Sequence, residues 1–217
     1  GVALVYDGTS VKPAFTPTNF NGKAVNLWRI GGEGSNAWTG GSDGAVFKLS
    51  SGGSWRSQIP YESQGLTFTD AWAADASTAY VVLGGLAAGV WKHDASGFNQ
   101  VVMPTETLTA IWGSSASDVW VTARDGKMLH YDGSSWETKS VGQAGTDYRA
   151  IWGSGASDIW ALTRTSAMHY DGSQWTQSAL AADQSLNAIW GSAADDIWAV
   201  GDASTIMHYD GSAWTKQ

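Results

Sequence analysis

The sequence predicts an all-β fold, a β-propeller with five four-stranded antiparallel blades. Two observations lead to this prediction. A tryptophan-rich stretch of roughly 40 residues recurs five times along the 217-residue chain, and this is the period of a propeller blade. Turn-forming residues divide each repeat into four short segments rich in aromatic and β-branched residues, which favour strands. We expect residues 1–217 to form a single propeller domain.

The five repeats follow a short leading segment. The last three are the clearest, because each has Ile-Trp-Gly-Ser near its start and Tyr-Asp-Gly-Ser-x-Trp near its end. The repeats cover approximately residues 24–58, 66–100, 108–140, 148–178 and 186–217. In the third repeat we predict strands at 109–113, 119–123, 128–131 and 136–139, with essentially no helix anywhere in the chain.

Three aromatic columns align the repeats. The first column is Trp28, Trp72, Trp112, Trp152 and Trp190. The second is Trp38, Tyr80, Trp120, Trp160 and Trp198. The third is Trp55, Phe98, Trp136, Trp175 and Trp214. These columns take 13 of the 14 tryptophans and leave Trp91 outside. Since a tryptophan buries roughly 150–250 Å², we expect the columns to fill the space between neighbouring blades.

The leading segment, residues 3–19, matches only the second half of a repeat. Its Leu-Val-Tyr-Asp-Gly run resembles Leu129-His130-Tyr131-Asp132-Gly133. Three arrangements remain open. The half-repeat packs on an edge or face of a five-bladed propeller, which we favour, or it forms part of a sixth blade, or it pairs with another copy of the chain because exposed strand edges invite pairing.

Composition limits the function classes. The net charge is −8 and only 15% of residues are charged, so nucleic-acid binding is not expected. The sequence has no cysteine and no run of 18 apolar residues, which argues against cysteine-ligated zinc and a membrane-spanning helix. Low charge and abundant Ser, Thr and Gly favour an extracellular or cell-surface location.

The histidines and most aspartates occupy repeated positions. His93, His130, His169 and His208 share one position on the third strand, where they would be spread over different blades. We therefore expect hydrogen bonds within each blade and no metal cluster. Asp118, Asp158 and Asp196 precede the second strand, and Asp132, Asp171 and Asp210 open the last turn, where an aspartate stabilises the turn. No calcium-loop spacing is present, so no cofactor is predicted.

The end of each repeat carries a family resemblance. The run His130 to Trp136, together with Ile197-Trp198-Ala199-Val200-Gly201, resembles the Asp-box (BNR-like) propellers and the photosystem-assembly-factor-like repeat proteins of bacteria. The Asp-box reads Ser-x-Asp-x-Gly-x-Thr-Trp, whereas this run lacks the first Ser and is one residue shorter before its Trp. The resemblance implies a propeller fold and does not specify an activity.

Catalysis is not predicted. Sialidase-like propellers need convergent arginines and a carboxylate-backed Tyr nucleophile, and the five arginines and four glutamates do not assemble such a set. A glycosidase would need two carboxylates in one cleft, which the sequence alone does not test.

Loops on one face vary between repeats, and a ligand is expected there, because function tends to lie on loops carried by a rigid scaffold. The variable loops are 56–65, 83–89, 101–107, 140–147 and 177–184. Candidate ligand-binding residues are Trp91, Tyr61, Tyr148 and Arg56. We expect a non-enzymatic module that binds a protein or a carbohydrate; the alternatives are a lectin specifically, a sialidase-like hydrolase, and a structural unit of a larger repeat protein.

Overall fold

The computed structural model describes residues 3–6, 9–18, 22–33, 36–42, 45–50, 53–58, 65–85, 88–180 and 184–217. The chain divides into two compact units, an N-terminal unit of residues 1–105 and a C-terminal unit of residues 106–217. Antiparallel sheets make up both units.

The N-terminal unit contains a hairpin and two four-stranded antiparallel sheets. The hairpin is β1 (Ala3–Tyr6) and β2 (Val11–Phe15). Blade A consists of β3 (Leu27–Glu33), β4 (Asn36–Gly41), β5 (Val46–Leu49) and β6 (Trp55–Ser57). Blade B consists of β7 (Leu66–Ala73), β8 (Ala79–Gly85), β9 (Gly89–Asp94) and β10 (Gly97–Val102).

The C-terminal unit contains three further sheets of the same kind. Blade C consists of β11 (Leu108–Ser115), β12 (Asp118–Ala123), β13 (Lys127–Tyr131) and β14 (Trp136–Ser140). Blade D consists of β15 (Ala150–Gly155), β16 (Asp158–Leu162), β17 (Ser166–Tyr170) and β18 (Trp175–Ala179). Blade E consists of β19 (Leu186–Ala193), β20 (Asp196–Gly201), β21 (Ile206–Tyr209) and β22 (Trp214–Lys216).

In every blade the strands pair in chain order, as a four-stranded meander. The predicted fold class, an all-β propeller with five four-stranded blades, is therefore confirmed. Among the described residues, helix is limited to one 3₁₀ turn, η1 (Asp202–Ser204). No described helix is long and apolar enough to cross a membrane.

Aromatic side chains pack consecutive blades of the C-terminal unit together. The ring of Trp120 in blade C lies 5.5 Å from Tyr170 and 5.4 Å from Trp175 of blade D. The ring of Trp160 in blade D lies 4.9 Å from Tyr209 and 5.5 Å from Trp214 of blade E. The second and third aromatic columns thus meet across each blade boundary in this unit, as the sequence predicts.

The first column needs one correction, at Trp28. In blades B to E the first-column residue pairs directly with the second-column residue, as in Trp112 with Trp120. In blade A the residue that pairs with Trp38 is Gly31, so Trp28 lies three residues out of register. The reason is steric: a Cβ at Gly31 would lie 2.0 Å from the carbonyl oxygen of Ala71 in blade B, which leaves no room for an indole.

The N-terminal half-repeat packs against blade A. The ring of Phe15 lies 5.2 Å from Phe47 and 5.4 Å from Trp55. This is the arrangement that we favour from the sequence, a hairpin on the face of an existing blade, and the hairpin itself remains a two-stranded sheet.

Candidate functional site

A hydrogen-bonded network of Ser, Asp and His recurs in the three blades of the C-terminal unit. In blade D the Asp158 carboxylate accepts hydrogen bonds from Ser154 and from Trp160 Nε1, and it contacts His169 Nε2 at 2.7 Å. The His169 ring stacks on the Trp160 indole at 4.1 Å. The corresponding Asp–His pairs, His130 with Asp118 and His208 with Asp196, lie at 2.8 Å and 2.9 Å.

This network ties the first three strands of a blade together and is not a catalytic triad. In a triad the histidine lies between the serine and the aspartate, whereas here the aspartate lies between the serine and the histidine. The prediction that these histidines bond within their own blade is confirmed for His130, His169 and His208. Among the described residues no group of three or more His, Asp or Glu side chains is placed to hold a metal ion.

His93 of blade B differs from the other three. Its Nδ1 lies 3.4 Å from the Ser77 carbonyl oxygen and 3.5 Å from Lys48 Nζ of blade A. Burial, followed by the nearby Lys48 charge, lowers the pKa of His93. The imidazole therefore favours its neutral form and contacts the lysine without opposing its charge.

The turn aspartates, which we define as Asp132, Asp171 and Asp210, have the structural role that the sequence predicts. Each carboxylate accepts hydrogen bonds from two backbone N–H groups and one serine hydroxyl of its own turn. Because these bonds favour the ionised form, the pKa of each carboxyl falls to about 2. These residues hold the turns through one carboxylate oxygen, Oδ1, which accepts all three hydrogen bonds.

A cleft of about 470 Å³ lies in the C-terminal unit, on the face that carries the variable loops. One wall is the connection between β14 and β15, and the other is the turn between β16 and β17 with the neighbouring part of β18. The lining residues are Gly142, Gln143, Gly145, Thr146, Asp147, Thr163, Arg164, Ser166, Met168 and Gln177.

The first wall is fixed by hydrogen bonds to the preceding turn of blade C. The Gly145 N–H donates to Asp125 Oδ1 at 2.6 Å, and the Gly126 N–H donates to the Thr146 carbonyl oxygen at 2.7 Å. Gly142 has φ +90° and Gly145 has φ +83°, a backbone conformation that glycine adopts without strain. The wall is consequently an ordered surface, on which residues 142–145 are exposed.

Beneath this wall lies Tyr148, whose hydroxyl donates a hydrogen bond to the Val141 carbonyl oxygen. The side chain is 1% exposed, and burial raises its pKa to about 12. A Cβ at Gly142 would lie 2.7 Å from this hydroxyl, so the loop lies directly on the tyrosine. Tyr148 therefore supports the cleft from below.

The second wall presents an arginine, hydroxyls and an amide. Arg164 is exposed, and its Nε donates to Ser185 Oγ at 3.2 Å. Thr163 Oγ1 lies 2.8 Å from Ser166 Oγ, and Gln177 Nε2 donates to that serine hydroxyl at 3.4 Å. The cleft thus offers one cation, several hydroxyl and amide groups, and on the first wall the carboxylate of Asp147.

The sequence-predicted ligand residues have different locations. Tyr148 lies under the cleft. Trp91, on β9, is half-buried and stacks on Phe98 at 5.2 Å, and Arg56, on β6, is exposed; both belong to the N-terminal unit. Tyr61 lies outside the described residues. Sequence reasoning did not single out Arg164 or Gln177 as ligand-binding residues, although the variable loops 140–147 and 177–184 marked this region.

The fold and the cleft place the chain in the class of β-propellers with a polar cleft on the variable-loop face. No known protein family and no curated protein matches the sequence.

Solved structures do match the chain, at low sequence identity. One is YCF48 bound to D1 peptide (TM-score 0.57, 10% identity, 89% of this chain and 81% of that chain). A second is YCF48 from Cyanidioschyzon merolae (TM-score 0.65, 12% identity, 88% and 72%). A third is an ancestral GH74 enzyme (TM-score 0.67, 10% identity), of which this chain spans 31% while 89% of this chain is covered. At these identities the likeness shows the fold.

Proposed function

We propose that this propeller is a non-enzymatic binding module that holds an extended segment of a protein partner in the cleft between residues 142–147 and the Arg164 turn. The observation that carries the proposal is the convergence of hydroxyls, side-chain amides and one guanidinium with the exposed residues 142–145 on an ordered surface. Such groups pair with the N–H and C=O groups of an extended chain.

Two features favour a protein over the alternatives. A sugar site usually offers an aromatic platform, and none of the described residues that line the cleft is aromatic. A glycosidase needs two carboxylates in one cleft, and Asp147 is the sole carboxylate among those lining residues. The solved structure of YCF48 with D1 peptide supports the proposal as an example of this fold with a bound peptide.

The location that we propose, extracellular or at the cell surface and in a bacterium, rests on composition and on the repeat pattern alone. The proposed activity requires no cofactor.

The test is selection of a random peptide phage library on the immobilised chain, followed by titration of the enriched synthetic peptides. Arg164→Ala combined with Gln177→Ala is expected to weaken binding at least about tenfold, which corresponds to about 1.4 kcal/mol. The matched control is Arg124→Ala, because Arg124 occupies the equivalent turn of blade C and does not line the cleft.

Two results would contradict the proposal. One is enrichment of peptides that bind the double variant as tightly as the original chain. The other is binding on a glycan array, with no peptide selected and with the glycan signal lost in the double variant, which would establish a lectin at this cleft.

A further inference from the structure

Blade E has an exposed apolar face. The equivalent faces of blades C and D are covered by blades D and E, respectively. We define the open face of blade E by four side chains and their exposed fractions: Trp190 (62%), Trp198 (37%), Val200 (44%) and Ile206 (39%). In blade D the residues at the positions of the last three are Trp160, Leu162 and Ala167, and they are 2%, 0% and 0% exposed. Blade E therefore has the apolar residues that form a blade boundary in blade D, but in blade E these residues are exposed.

Together these four residues expose roughly 400 Å², which is in the range of roughly 300–600 Å² for the largest apolar patch on a soluble protein, and such patches are often functional. The boundaries between blades C and D and between blades D and E show which side chains cover such a face. Trp120 and Trp160 are each covered by a Tyr and a Trp that pair with one another across the third and fourth strands of the next blade. The matching occupant is a hairpin of that kind.

Among the described residues, one hairpin of this type lies outside the five blades. In β1–β2, Tyr6 pairs with Val11 as Tyr209 pairs with Trp214. A register shift between Ala3 and Leu4 puts Val11 and Phe15 on opposite faces of the hairpin. Phe15 packs on blade A, whereas Val11, at the position of Trp214, is 61% exposed.

We propose that the open face of blade E is a self-association surface, on which the β1–β2 hairpin of a second copy docks through the face that carries Val11. The contact reproduces the boundary between blades D and E, with Trp198 in the place of Trp160. Because different surfaces of the two copies meet, the association is head-to-tail, and it produces either a closed ring or a growing chain.

The first experiment measures the mass of the intact chain by size-exclusion chromatography with light scattering over a wide range of concentrations. We expect a concentration-dependent rise from 22.9 kDa to at least twice that mass. Val11→Glu and Ile206→Glu should each restore the monomer, because each puts a charge on one side of the contact. The control is Met103→Glu, since Met103 is 72% exposed and lies outside both surfaces.

Mixing the two monomeric variants tests the head-to-tail geometry. The Val11→Glu chain keeps an intact open face, and the Ile206→Glu chain keeps an intact hairpin, so the mixture should form a one-to-one dimer that neither variant forms alone. Circular dichroism of each variant confirms that its strands are intact, and Val200→Glu replaces Ile206→Glu if the latter does not fold.

Three outcomes would overturn the proposal. The intact chain remains at 22.9 kDa at every concentration. Alternatively, Val11→Glu leaves the oligomer unchanged while Ile206→Glu abolishes it, which means that two open faces meet each other. Finally, the mixture of the two variants remains monomeric although the intact chain associates.

Discussion

Trp160 and Trp198 occupy equivalent positions in blades D and E, and they allow the packing energy of one blade boundary to be measured. Both donate Nε1–H to the aspartate two residues earlier, at 3.0 Å and 2.9 Å, and both stack on a histidine, at 4.1 Å and 4.2 Å. They differ in the contacts of Trp160 with Tyr209 and Trp214. Replacing each by alanine therefore removes the same local interactions and isolates the boundary.

The expected difference follows from burial and ring contacts. Trp160 is 2% exposed and Trp198 is 37% exposed, so about a third of an indole side chain, roughly 80 Å², separates them. At about 25 cal/mol per Å² this area contributes about 2 kcal/mol. Two aromatic contacts add about 0.5–1.5 kcal/mol each. Trp160→Ala should consequently cost about 3–5 kcal/mol more free energy of unfolding than Trp198→Ala.

The assay is urea denaturation followed by far-UV circular dichroism, at a protein concentration where the chain is monomeric. The free energies of unfolding of the two variants are compared with that of the original chain. A difference below about 1 kcal/mol would refute the reasoning, because it would mean that the two tryptophans pack equally well in solution.

Three further predictions concern the C-terminal unit. Gly153→Ala should destabilise it by about 1–3 kcal/mol, because the new Cβ would lie 2.7 Å from the Trp112 indole, whereas Gly155→Ala, whose Cβ meets nothing within 4 Å, should be close to neutral in the same urea titration. Tyr148→Phe should cost about 1 kcal/mol in urea and weaken peptide binding at the cleft, since it removes the hydrogen bond to Val141; unchanged binding would contradict a supporting role. The turn aspartates have a folded pKa of about 2, below the unfolded value of about 3.9, so the stability that they contribute is present above about pH 4 and is lost as the pH falls toward 2. Replacing all three with Asn should therefore reduce the pH dependence of the urea midpoint between about pH 4 and pH 2. A variant whose urea midpoint changes with pH as that of the original chain does would contradict this.

The repeated parts of the fold can be predicted from the sequence, because each repeated residue has one structural role. The Asp-Gly turns, the alternating strands and the aromatic columns agree in the last three repeats, and agreement between these sequence signals is what makes a structure predictable. In blade C the predicted strands at 109–113, 119–123, 128–131 and 136–139 differ from β11–β14 by at most two residues at any end. The prediction for Trp28 is wrong because the first repeat allows two alignments, and the steric limit at Gly31 comes from blade B, which lies about forty residues away in sequence.

The candidate site is less predictable because it depends on residues that do not repeat. Arg164 and Arg124 occupy the same position in neighbouring repeats, so the sequence does not distinguish one from the other. What distinguishes Arg164 is its neighbour across the cleft, the loop of residues 142–147, which is held by Asp125 and supported by Tyr148. Tyr148 is conspicuous as an aromatic residue in a variable loop, yet its hydroxyl bonds to backbone under that loop. A single sequence shows which loops vary, whereas only their packing shows which side chains remain available to a ligand.

The same distinction explains why the conspicuous Ser, Asp and His residues are poor candidates for chemistry in this chain. In the C-terminal unit each Asp of the Ser–Asp–His network already accepts from the serine and contacts the histidine of its own blade, and each turn aspartate accepts three hydrogen bonds from its own turn. These hydrogen bonds give each carboxylate a structural role within its own blade. The better candidates for binding are the exposed residues of the cleft and the open face of blade E. Both occur where the repeat departs from its pattern: the loop at the cleft differs in length from its equivalents, and the face of blade E is exposed where the equivalent face of blade D is buried. Partners of this propeller should be sought at these two places.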